Sequence, residues 1–415
     1  LVAGSFLPSV QMESQSLYFS GNFGWKNVLY LDITGRNDWS STLPSTSRSY
    51  FYPSVGLSAI LSDIIPSLPS ALTYAKVRAS WAKVGNGTDP YKLSRQAIFN
   101  GNGGNRGFIT LDSELPSNNL KPESTEGYEL GLDLRFFNGR LGFDLTAYKT
   151  NTFDQLFTIA LPSGSGAASF FTNGGDVENK GIEAIISATP IQTTRGFTWD
   201  LSTNFAKNRN WVNKISDDRP SIIVGGDSYM YDFVVAQGQE FGNIYTRGWR
   251  RDDQGRVIVG ANGVPLFTPG RTVKSANFNP DWMGAISNTF SYKNLSFSFL
   301  IEHRQGGTVV STTDGLLFGE GITAETLPGR EGGLIFGQNL FGHEVAVKAD
   351  GTPNTTAITS EAFWKTVGGR NTPIGEAFVV DATNTRMREA SIGFTLPKSM
   401  LTKLPFVSNA KLSLV

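Results

Sequence analysis

Apolar and polar residues alternate along much of the chain, most regularly between residues 119 and 148. Within 130–136, leucine or phenylalanine occupies every second position, with charged residues or glycine between them. The same alternation resumes in 141–148, after the dipeptide Asn138-Gly139, whose residues favour the positive φ angles of a tight turn. A period of two predicts strands with one apolar and one polar face. This stretch therefore predicts a β-hairpin.

The same pattern recurs along the rest of the chain and predicts about twelve strands, which follow one another as hairpins. Each is near the length that a tilted strand needs to cross a bilayer, roughly 9 to 11 residues. The predicted strands cover residues 17–25, 28–36, 50–61, 73–84, 129–136, 141–148, 179–189, 197–207, 282–292, 295–303, 386–396 and 410–415.

The connections between these strands alternate between short and long. Outer-membrane barrels have short periplasmic turns and long extracellular loops, and a closed barrel leaves no unpaired backbone group in lipid. We therefore expect an all-β fold, a transmembrane antiparallel up-and-down β-barrel in the bacterial outer membrane, with residues 1–415 forming one barrel domain. The short turns are Lys26-Asn27, Asn138-Gly139, 193–196 and Lys293-Asn294, and the long extracellular loops are about 85–123, 151–178, 208–279 and 304–385.

The alternation also predicts which side chains face lipid and which face the lumen. Charges on the lipid face are costly, so the apolar series should point outward and the charged series inward. We expect Leu132, Phe143, Trp199, Phe297 and Ile392 to face lipid, and Glu129, Asp133 and Asp144 to face a polar interior. Aromatic residues near strand ends are expected at the two membrane interfaces: Trp25, Tyr30, Phe136, Phe137, Tyr148, Phe197 and Tyr292.

Composition narrows the function classes. The 36 basic and 36 acidic residues balance, which argues against a nucleic-acid partner, and the absence of cysteine removes disulfides and thiolate metal sites. No apolar run is long enough for a transmembrane helix. The first residues have no basic flank before their apolar part, so they do not form a signal peptide, and we expect the chain to begin within a longer protein.

Histidine and paired acidic residues are the candidates for metal chemistry. His303 and His343 are far apart in sequence, so two unrelated surface histidines are favoured over a metal pair. The acidic pairs at 217–218 and 252–253 could bind calcium or act as paired carboxylates, but the run Asp-Asp-Gln-Gly at 252–255 is typical of a turn. We predict no metal.

No catalytic motif accompanies these residues. The glycine-rich segment 100–107 lacks the strand and helix that flank a phosphate-binding loop, so a flexible loop is expected there. The chain contains neither G-x-S-x-G nor H-E-x-x-H. The sequence predicts that the protein is not an enzyme and has no cofactor.

Aromatic residues in the expected loops are candidates for substrate binding, because flat apolar rings with a polar edge suit sugar or peptide surfaces. Packing within the loops explains them about as well. The candidates are Trp211, Tyr229, Tyr231, Tyr245 and Trp249.

Five segments resemble the SusC/RagA family of TonB-dependent outer-membrane transporters. The longest is LKPESTEGYELGLDLRFFNGRLGFDLTAYKTNTFDQL; the others are YLDITGRNDWSS with YFYPSVGLSAILSD, VRASWAKVGNGTDP, GQEFGNIYTRGWRRDDQGRVIVGANG and DATNTRMREASIGFTLPKSM. The resemblance implies the C-terminal part of a barrel of about 22 strands. In the family an N-terminal plug fills the barrel, and neither the plug nor a TonB box is found in this sequence.

The resemblance also implies a function and partners. We expect TonB-dependent import of an oligomeric nutrient, a glycan or a peptide, with a SusD-like surface lipoprotein as lid and the TonB-ExbB-ExbD system as energy source. The expected partners further include outer-membrane lipid and the oligosaccharide or peptide substrate, but no nucleic acid. The alternative is a SusC-like scaffold in a larger cell-surface or secretion assembly. A soluble β-enzyme acting on polysaccharide is disfavoured by the alternation of loop lengths.

Overall fold

The computed structural model describes residues 11–100, 107–216, 219–337, 345–401 and 407–415. The chain divides into two compact units: residues 1–220, 281–304 and 384–415 form the first, and residues 221–280 and 305–383 form the second. The expectation of one barrel domain is thereby refined, because the predicted loops 208–279 and 304–385 supply most of a separate unit. In the described residues, no helix is long and apolar enough to cross a membrane.

The first unit is built on one large antiparallel sheet, in which each strand pairs with the next along the chain. All of the predicted strands are confirmed, and most are longer than expected. They are β1 (Ser14–Trp25), β2 (Leu29–Ser40), β3 (Ser49–Ile60), β4 (Leu72–Asn86), β5 (Glu123–Phe136), β6 (Leu141–Ala160), β7 (Ser169–Gln192), β8 (Phe197–Lys214), β9 (Trp282–Tyr292), β10 (Leu295–Gln305), β11 (Asn384–Thr395) and β12 (Lys411–Leu414).

The short turns all lie at one end of this sheet, as predicted, since successive antiparallel strands reverse direction. Lys26 and Asn27 have φ angles of 51° and 59°, and Asn138 and Gly139 have φ angles of 56° and 83°. In the first turn, the N–H of Val28 bonds to the carbonyl of Trp25, and positive φ at both central positions, Lys26 and Asn27, matches the twist of the flanking strands. The second turn has three consecutive positive φ angles, because Phe137 also has a φ of 55°.

The strand register separates two faces. Asp133 lies opposite Asp144, on the face that also carries Glu129, and we call this the polar face. The other is the apolar face, on which Leu132 lies opposite Leu145. The register carries the apolar face across the sheet through Phe143 opposite Ile186, Trp199 opposite Phe290, and Phe297 opposite Ile392. The predicted division of these side chains between two faces is confirmed.

Two of the expected interface aromatics lie on the polar face instead. Tyr30 is opposite Gly24 and Tyr148 is opposite Gly181, one position out of phase with the apolar series. The Tyr148 hydroxyl donates a hydrogen bond to Oδ1 of Asn208 at 3.1 Å. That prediction was wrong for this pair because it considered distance from the strand end and ignored the parity of the position.

The outermost strands of the sheet do not pair with each other in the described residues. Phe19 in β1 lies opposite Gly35 of β2, and Leu412 in β12 lies opposite Phe394 of β11. β1 and β12 are therefore the two edges of an open sheet, and a closed twelve-stranded barrel is excluded for the described part of the chain.

The segment 151–178 was predicted as a loop but is mostly strand. Pairing between β6 and β7 continues from Leu141 opposite Ala188 to Ala160 opposite Ser169, with an irregularity near Gly175. The prediction was wrong because it followed apolar alternation, whereas a backbone ladder can continue in water with polar residues on both faces. The segment 85–123 also contains paired strands, Ala97–Asn100 with Phe108–Leu111, and Glu114–Leu115 beside the start of β7.

The second unit has its own sheets and helices. Its antiparallel sheet comprises Ser221–Gly226, Tyr231–Ala236, Asn243–Thr246 and Val273–Asn277, and further short strands are Gln239–Glu240, Val257–Ile258, Thr308–Val310, Ala346–Val347 and Val379–Asp381. Short helices α1 (Leu61–Ile64) and α4 (Lys398–Leu401) belong to the first unit, whereas α2 (Thr312–Gly319) and α3 (Ser360–Val367) belong to the second. Single 3₁₀ turns cover Ser163–Ser165, Ala324–Thr326 and Gly375–Phe378.

Aromatic residues dominate the core of the second unit. Phe336 and Phe363 are fully buried, with ring centroids 5.1 Å apart. Trp364 of α3 packs edge-on against Phe363 at 5.0 Å and against Phe318 of α2 at 4.8 Å. Such rings bury much apolar area, so this unit has the means to hold its own fold.

Candidate functional site

The polar face of the first unit carries a group of ion pairs on neighbouring strands. Arg78 of β4 lies 2.7 Å from Oδ1 of Asp144 in β6, and its guanidinium also donates to Oγ1 of Thr146 at 2.7 Å. Arg135 and Asp133, both in β5, are 2.9 Å apart. Each cation has a carboxylate within reach, so this part of the face is strongly polar but close to neutral.

Glycine makes these pairs possible. Gly131 lies opposite Arg78 in β5, and a Cβ at this position would overlap with the Arg78 side chain, including its Nε atom. Gly142 lies opposite Arg135, and a Cβ there would overlap with the Arg135 guanidinium. The arginines therefore extend across strands at positions that have no side chain, as expected where close approach requires glycine.

Two further charged groups lie on the same sheet. Glu302 of β10 accepts from Arg386 at 3.1 Å and lies 2.7 Å from Nε of Arg388, both in β11. Near the start of the sheet, Arg36 and Asp38 in β2 are 2.7 Å apart. The predicted presence of both signs on the polar face is confirmed.

The predicted binding aromatics are not all in loops. Trp211 lies in β8 on the side of the apolar face, opposite Glu178, and is 43% exposed. Trp249 is only 5% exposed and stacks on Phe336 at 5.5 Å. Tyr229 and Tyr231 are partly buried and pack against the same core.

Tyr245 lies in the sheet of the second unit, where its hydroxyl donates to Oε1 of Gln239 at 3.2 Å. The structure thus brings Tyr229, Tyr231 and Trp249 around one core, while Trp211 belongs to the first unit. A substrate-binding role for these residues stays a prediction.

The candidate metal ligands have ordinary structural roles where they are described. Asp252 begins a turn, as predicted: its carboxylate accepts from the backbone N–H groups of Gln254 at 3.1 Å and Arg256 at 2.8 Å. Nδ1 of His303 is 2.7 Å from Oγ1 of Thr385. The pair at 217–218, His343 and most of 100–107 lie outside the described residues. Within the described ranges, no cluster of three or more potential metal ligands occurs.

Sequence reasoning missed a cleft of about 580 Å³ in the second unit. Its lining includes Glu320, Arg330, Glu361, Trp364 and Lys365. The carboxylate of Glu361 accepts from Lys365 at 2.6 Å, and this bond lowers the pKa of Glu361. The lining residues come from three separate segments, so nothing in the sequence pattern could have grouped them.

Comparison with known proteins identifies the family. The sequence model of the family described as "TonB dependent receptor-like, beta-barrel" matches residues 3–313. The chain belongs to this family. The TonB-dependent receptor P26 of Formosa agariphila is 27% identical over 412 residues, covering 91% of this chain and 38% of that receptor. The TonB-dependent receptor SusC of Bacteroides thetaiotaomicron is 28% identical over 298 residues, covering 67% of this chain and 30% of SusC.

Solved structures support the same fold. The structure of the RagAB peptide transporter superposes with a TM-score of 0.73 at 19% identity, covering 97% of this chain and 44% of the matched chain. The chain thus spans less than half of the length of each of these relatives. As a TonB-dependent receptor β-barrel, it is an integral protein of the bacterial outer membrane.

The membrane location assigns the two faces. The apolar face contacts lipid, since unpaired charges near the bilayer midplane of a barrel wall cost about 2–4 kcal/mol. The polar face, with Arg78, Asp144 and Glu302, faces the interior of the TonB-dependent receptor barrel. The ion pairs described above therefore belong to the wall of the lumen.

Proposed function

We propose that this chain is the barrel wall of a TonB-dependent importer of an oligomeric nutrient, a glycan or a peptide. In this proposal the full-length protein works as the SusC-like part of a complex with a SusD-like surface lipoprotein and is driven by TonB-ExbB-ExbD. The relative named SusC and the fold shared with RagAB support this assignment. The observation that carries it is a charged polar face opposite a lipid-facing apolar face on one sheet.

The chemistry of the polar face suits passage of a polar oligomer. Arg78 and Asp144 neutralise each other at 2.7 Å, and Glu302 contacts both Arg386 and Arg388, which leaves a single net positive charge in that group. A wall of paired charges stays hydrated but presents no large field of one sign that would retain a charged substrate. Such a wall allows passage, and binding specificity must then come from elsewhere.

Aromatic side chains of the second unit are the proposed source of that specificity. Tyr229, Tyr231 and Tyr245 are only partly buried, so part of each ring is accessible. Tyrosine offers a flat apolar surface and a hydroxyl, which together suit a sugar ring or a peptide backbone. Trp249 is buried in the core against which Tyr229 and Tyr231 pack, and we propose that it contributes by supporting these two side chains.

The test uses the full-length protein in its own bacterium. A deletion strain would be supplied with the wild-type gene or with a Tyr229→Ala/Tyr231→Ala/Tyr245→Ala variant, and growth would be measured on defined glycans and on peptides as sole nutrient. We expect the deletion to abolish growth on one oligomer class while monomer use is unaffected. The variant should need at least a tenfold higher oligomer concentration for the same growth rate.

A matched control exchanges three exposed aromatics of the short-turn end, Trp25→Ala/Phe137→Ala/Tyr292→Ala, and should leave the concentration dependence unchanged. Normal growth of the deletion strain on every oligomer, together with loss of a surface assembly, would contradict import and favour the scaffold. Copurification of a surface lipoprotein with the wild-type protein would support the SusC-like assignment.

A further inference from the structure

The cleft of the second unit is lined by two charged side chains that are not part of an ion pair. Among the described residues, no carboxylate forms an ion pair with Arg330 and no cation forms one with Glu320. The other two charged residues of the lining, Glu361 and Lys365, already bind each other at 2.6 Å. Within the described part of the chain, the cleft therefore offers one cation and one anion for a ligand to neutralise.

Neutral groups hold the guanidinium of Arg330 in place. Its Nε donates to the carbonyl of Thr326 at 3.2 Å, and its Nη2 donates to the Thr326 hydroxyl at 2.9 Å and to the carbonyl of Gly321. Thr326 is buried, so these bonds anchor the guanidinium to the interior of the unit. No hydrogen bond within the described residues uses Nη1. Both N–H groups of Nη1 can therefore donate to an anionic ligand, as charge-assisted hydrogen bonds.

The ends of two helices favour the same distribution of ligand charge. Ser360, the first residue of α3, donates from Oγ to the carbonyl of Thr326 at 2.8 Å, and Nε of Arg330 binds the same carbonyl. The N-terminus of α3, which favours anions, thus lies beside Arg330. Glu320 follows the last residue of α2, where the helix dipole disfavours a carboxylate and favours a cation. An anion is therefore favoured beside Arg330, and a cation beside Glu320.

The rest of the lining favours a peptide over a glycan. Trp364 is the one aromatic residue among the described lining residues, and at 3% exposed it offers no ring face on which a sugar could stack. Ile322 and Leu327 are 70% and 57% exposed, and they are the chain neighbours of the lining residues Gly321 and Thr326. These two residues offer apolar surface to the side chains of a peptide.

We infer that this cleft binds a short peptide by its two free termini, with the C-terminal carboxylate on Arg330 and the N-terminal ammonium on Glu320. Nη2 of Arg330 binds the carbonyl of Gly321, the residue after Glu320, so one short ligand can contact both charges. A zwitterion neutralises both of them, whereas a neutral glycan neutralises neither. The cleft volume of about 580 Å³ is within the range of about 300–1,000 Å³ of small-ligand sites. This inference rests on the proposed import of an oligomer, and it names peptides as the substrate class.

The probe is the tripeptide alanyl-leucyl-alanine, titrated by isothermal calorimetry into the purified full-length protein in neutral detergent micelles. We expect saturable binding by the wild type, and amidation of the peptide C-terminus or acetylation of its N-terminus should each weaken binding at least tenfold. Arg330→Gln should weaken binding of the unmodified peptide at least tenfold but should bind the amidated peptide like the wild type, because the two missing partners are coupled. Glu320→Gln should behave in the same way towards the acetylated peptide.

A matched control removes one cation and one anion from exposed positions of the second unit outside the cleft. Arg370→Gln/Asp253→Asn should bind the tripeptide like the wild type. Equal binding of the unmodified and the doubly blocked tripeptide by the wild type would overturn the inference, even if the cleft variants failed to fold. Saturable binding of trigalacturonate without binding of the tripeptide would also overturn it and would assign the cleft to an acidic glycan. Import itself is tested separately, by the growth of the deletion strain.

Discussion

Arg78 on β4 and Asp144 on β6 are joined by a 2.7 Å salt bridge that crosses the strand between them. The guanidinium passes over Gly131 of β5, the residue directly opposite Arg78. Two strands that do not pair with each other are thereby linked through side chains. The absence of a Cβ at one position is what permits the contact.

Replacing this glycine should break the link. Gly131→Leu places a side chain in the path of Arg78, and we expect a loss of about 1–2 kcal/mol in the free energy of unfolding. The salt bridge itself supplies at most about 1 kcal/mol of this, because both side chains are partly exposed. The measurement is urea unfolding of the full-length protein in micelles. In an Arg78→Gln background the same substitution should cost less, since the two residues are coupled.

Gly164→Leu is the matched control, because no atom lies within 4 Å of a Cβ added there. It should change stability by less than about 0.5 kcal/mol. Equal losses at both glycines, or strict additivity of Gly131→Leu with Arg78→Gln, would show that the crossing arginine is not the cause.

Adjacent positions on opposite faces should respond differently to the same charge. Leu145 is on the apolar face and Asp144 on the polar face of β6. Leu145→Arg should cost about 2–4 kcal/mol near the bilayer midplane. Asp144→Arg loses the contact with Arg78 but remains in a hydrated lumen beside Asp133, so its loss should be smaller. The readout is the fraction of protein assembled in outer membranes; equal assembly of both variants would contradict the face assignment.

The second unit should lose stability at acidic pH because of Asp227. Burial raises the pKa of this carboxyl, but hydrogen bonds from the N–H of Met230, the hydroxyl of Thr312 and the N–H of Tyr229 outweigh it, so the pKa is lowered. A lowered folded-state pKa means that the stabilisation is present above about pH 4, the usual value for Asp, and is lost as the pH falls through the folded pKa.

Hydrogen exchange of residues 221–280 as a function of pH is the measurement. Relative to the intrinsic exchange rate at each pH, exchange in the wild type should become faster below about pH 4, as the pH falls towards the lowered pKa of Asp227. Asp227→Asn should exchange faster already at neutral pH and should flatten this dependence. Asp253→Asn, at an exposed turn position, is the control and should behave like the wild type. If hydrogen exchange in Asp227→Asn kept the same dependence on acidic pH as in the wild type, that dependence would arise from groups other than Asp227.

Alanine substitution of the two tryptophans that were predicted to bind substrate should lower stability by different amounts. Trp249 is 5% exposed within an aromatic core, so Trp249→Ala should destabilise the second unit by about 3–5 kcal/mol. Trp211 is 43% exposed on β8, and Trp211→Ala should cost below about 1 kcal/mol. Limited proteolysis distinguishes them. If Trp211→Ala were cleaved rapidly and Trp249→Ala resisted cleavage, then Trp211 rather than Trp249 would be the residue that stabilises the fold.

The transmembrane strands could be predicted from sequence because lipid enforces the pattern. At Leu130, Leu132 and Leu134 every second residue must be apolar, and the turn at Asn138-Gly139 must allow positive φ. Beyond the lipid this constraint ends, so the continuation of β6 to Ala160 shows no apolar alternation from which a strand could be predicted.

The functional surfaces were harder to predict, because they depend on register and on tertiary packing. Arg78 and Asp144 are widely separated in sequence and come into contact only across the intervening strand β5, once the strand pairing is known. Trp249 looked like a loop residue, since the second unit forms its core from short segments without a regular period. Patterns within a single sequence indicate local geometry, and they do not show which strands pair or which segments pack into one core.

The length of the β6–β7 ladder determines what the barrel wall presents beyond the lipid. At roughly 3.3 Å per residue, the 20 residues of β6 extend about 66 Å, twice the strand length that a tilted crossing of the apolar band requires. The outer part therefore stands in water as an ordered ribbon, and Glu114–Leu115 covers one edge of it beside Ser169 and Phe170. Any molecule that docks on this ribbon meets a backbone that is already fixed, so the complex forms without the entropy loss of ordering a loop.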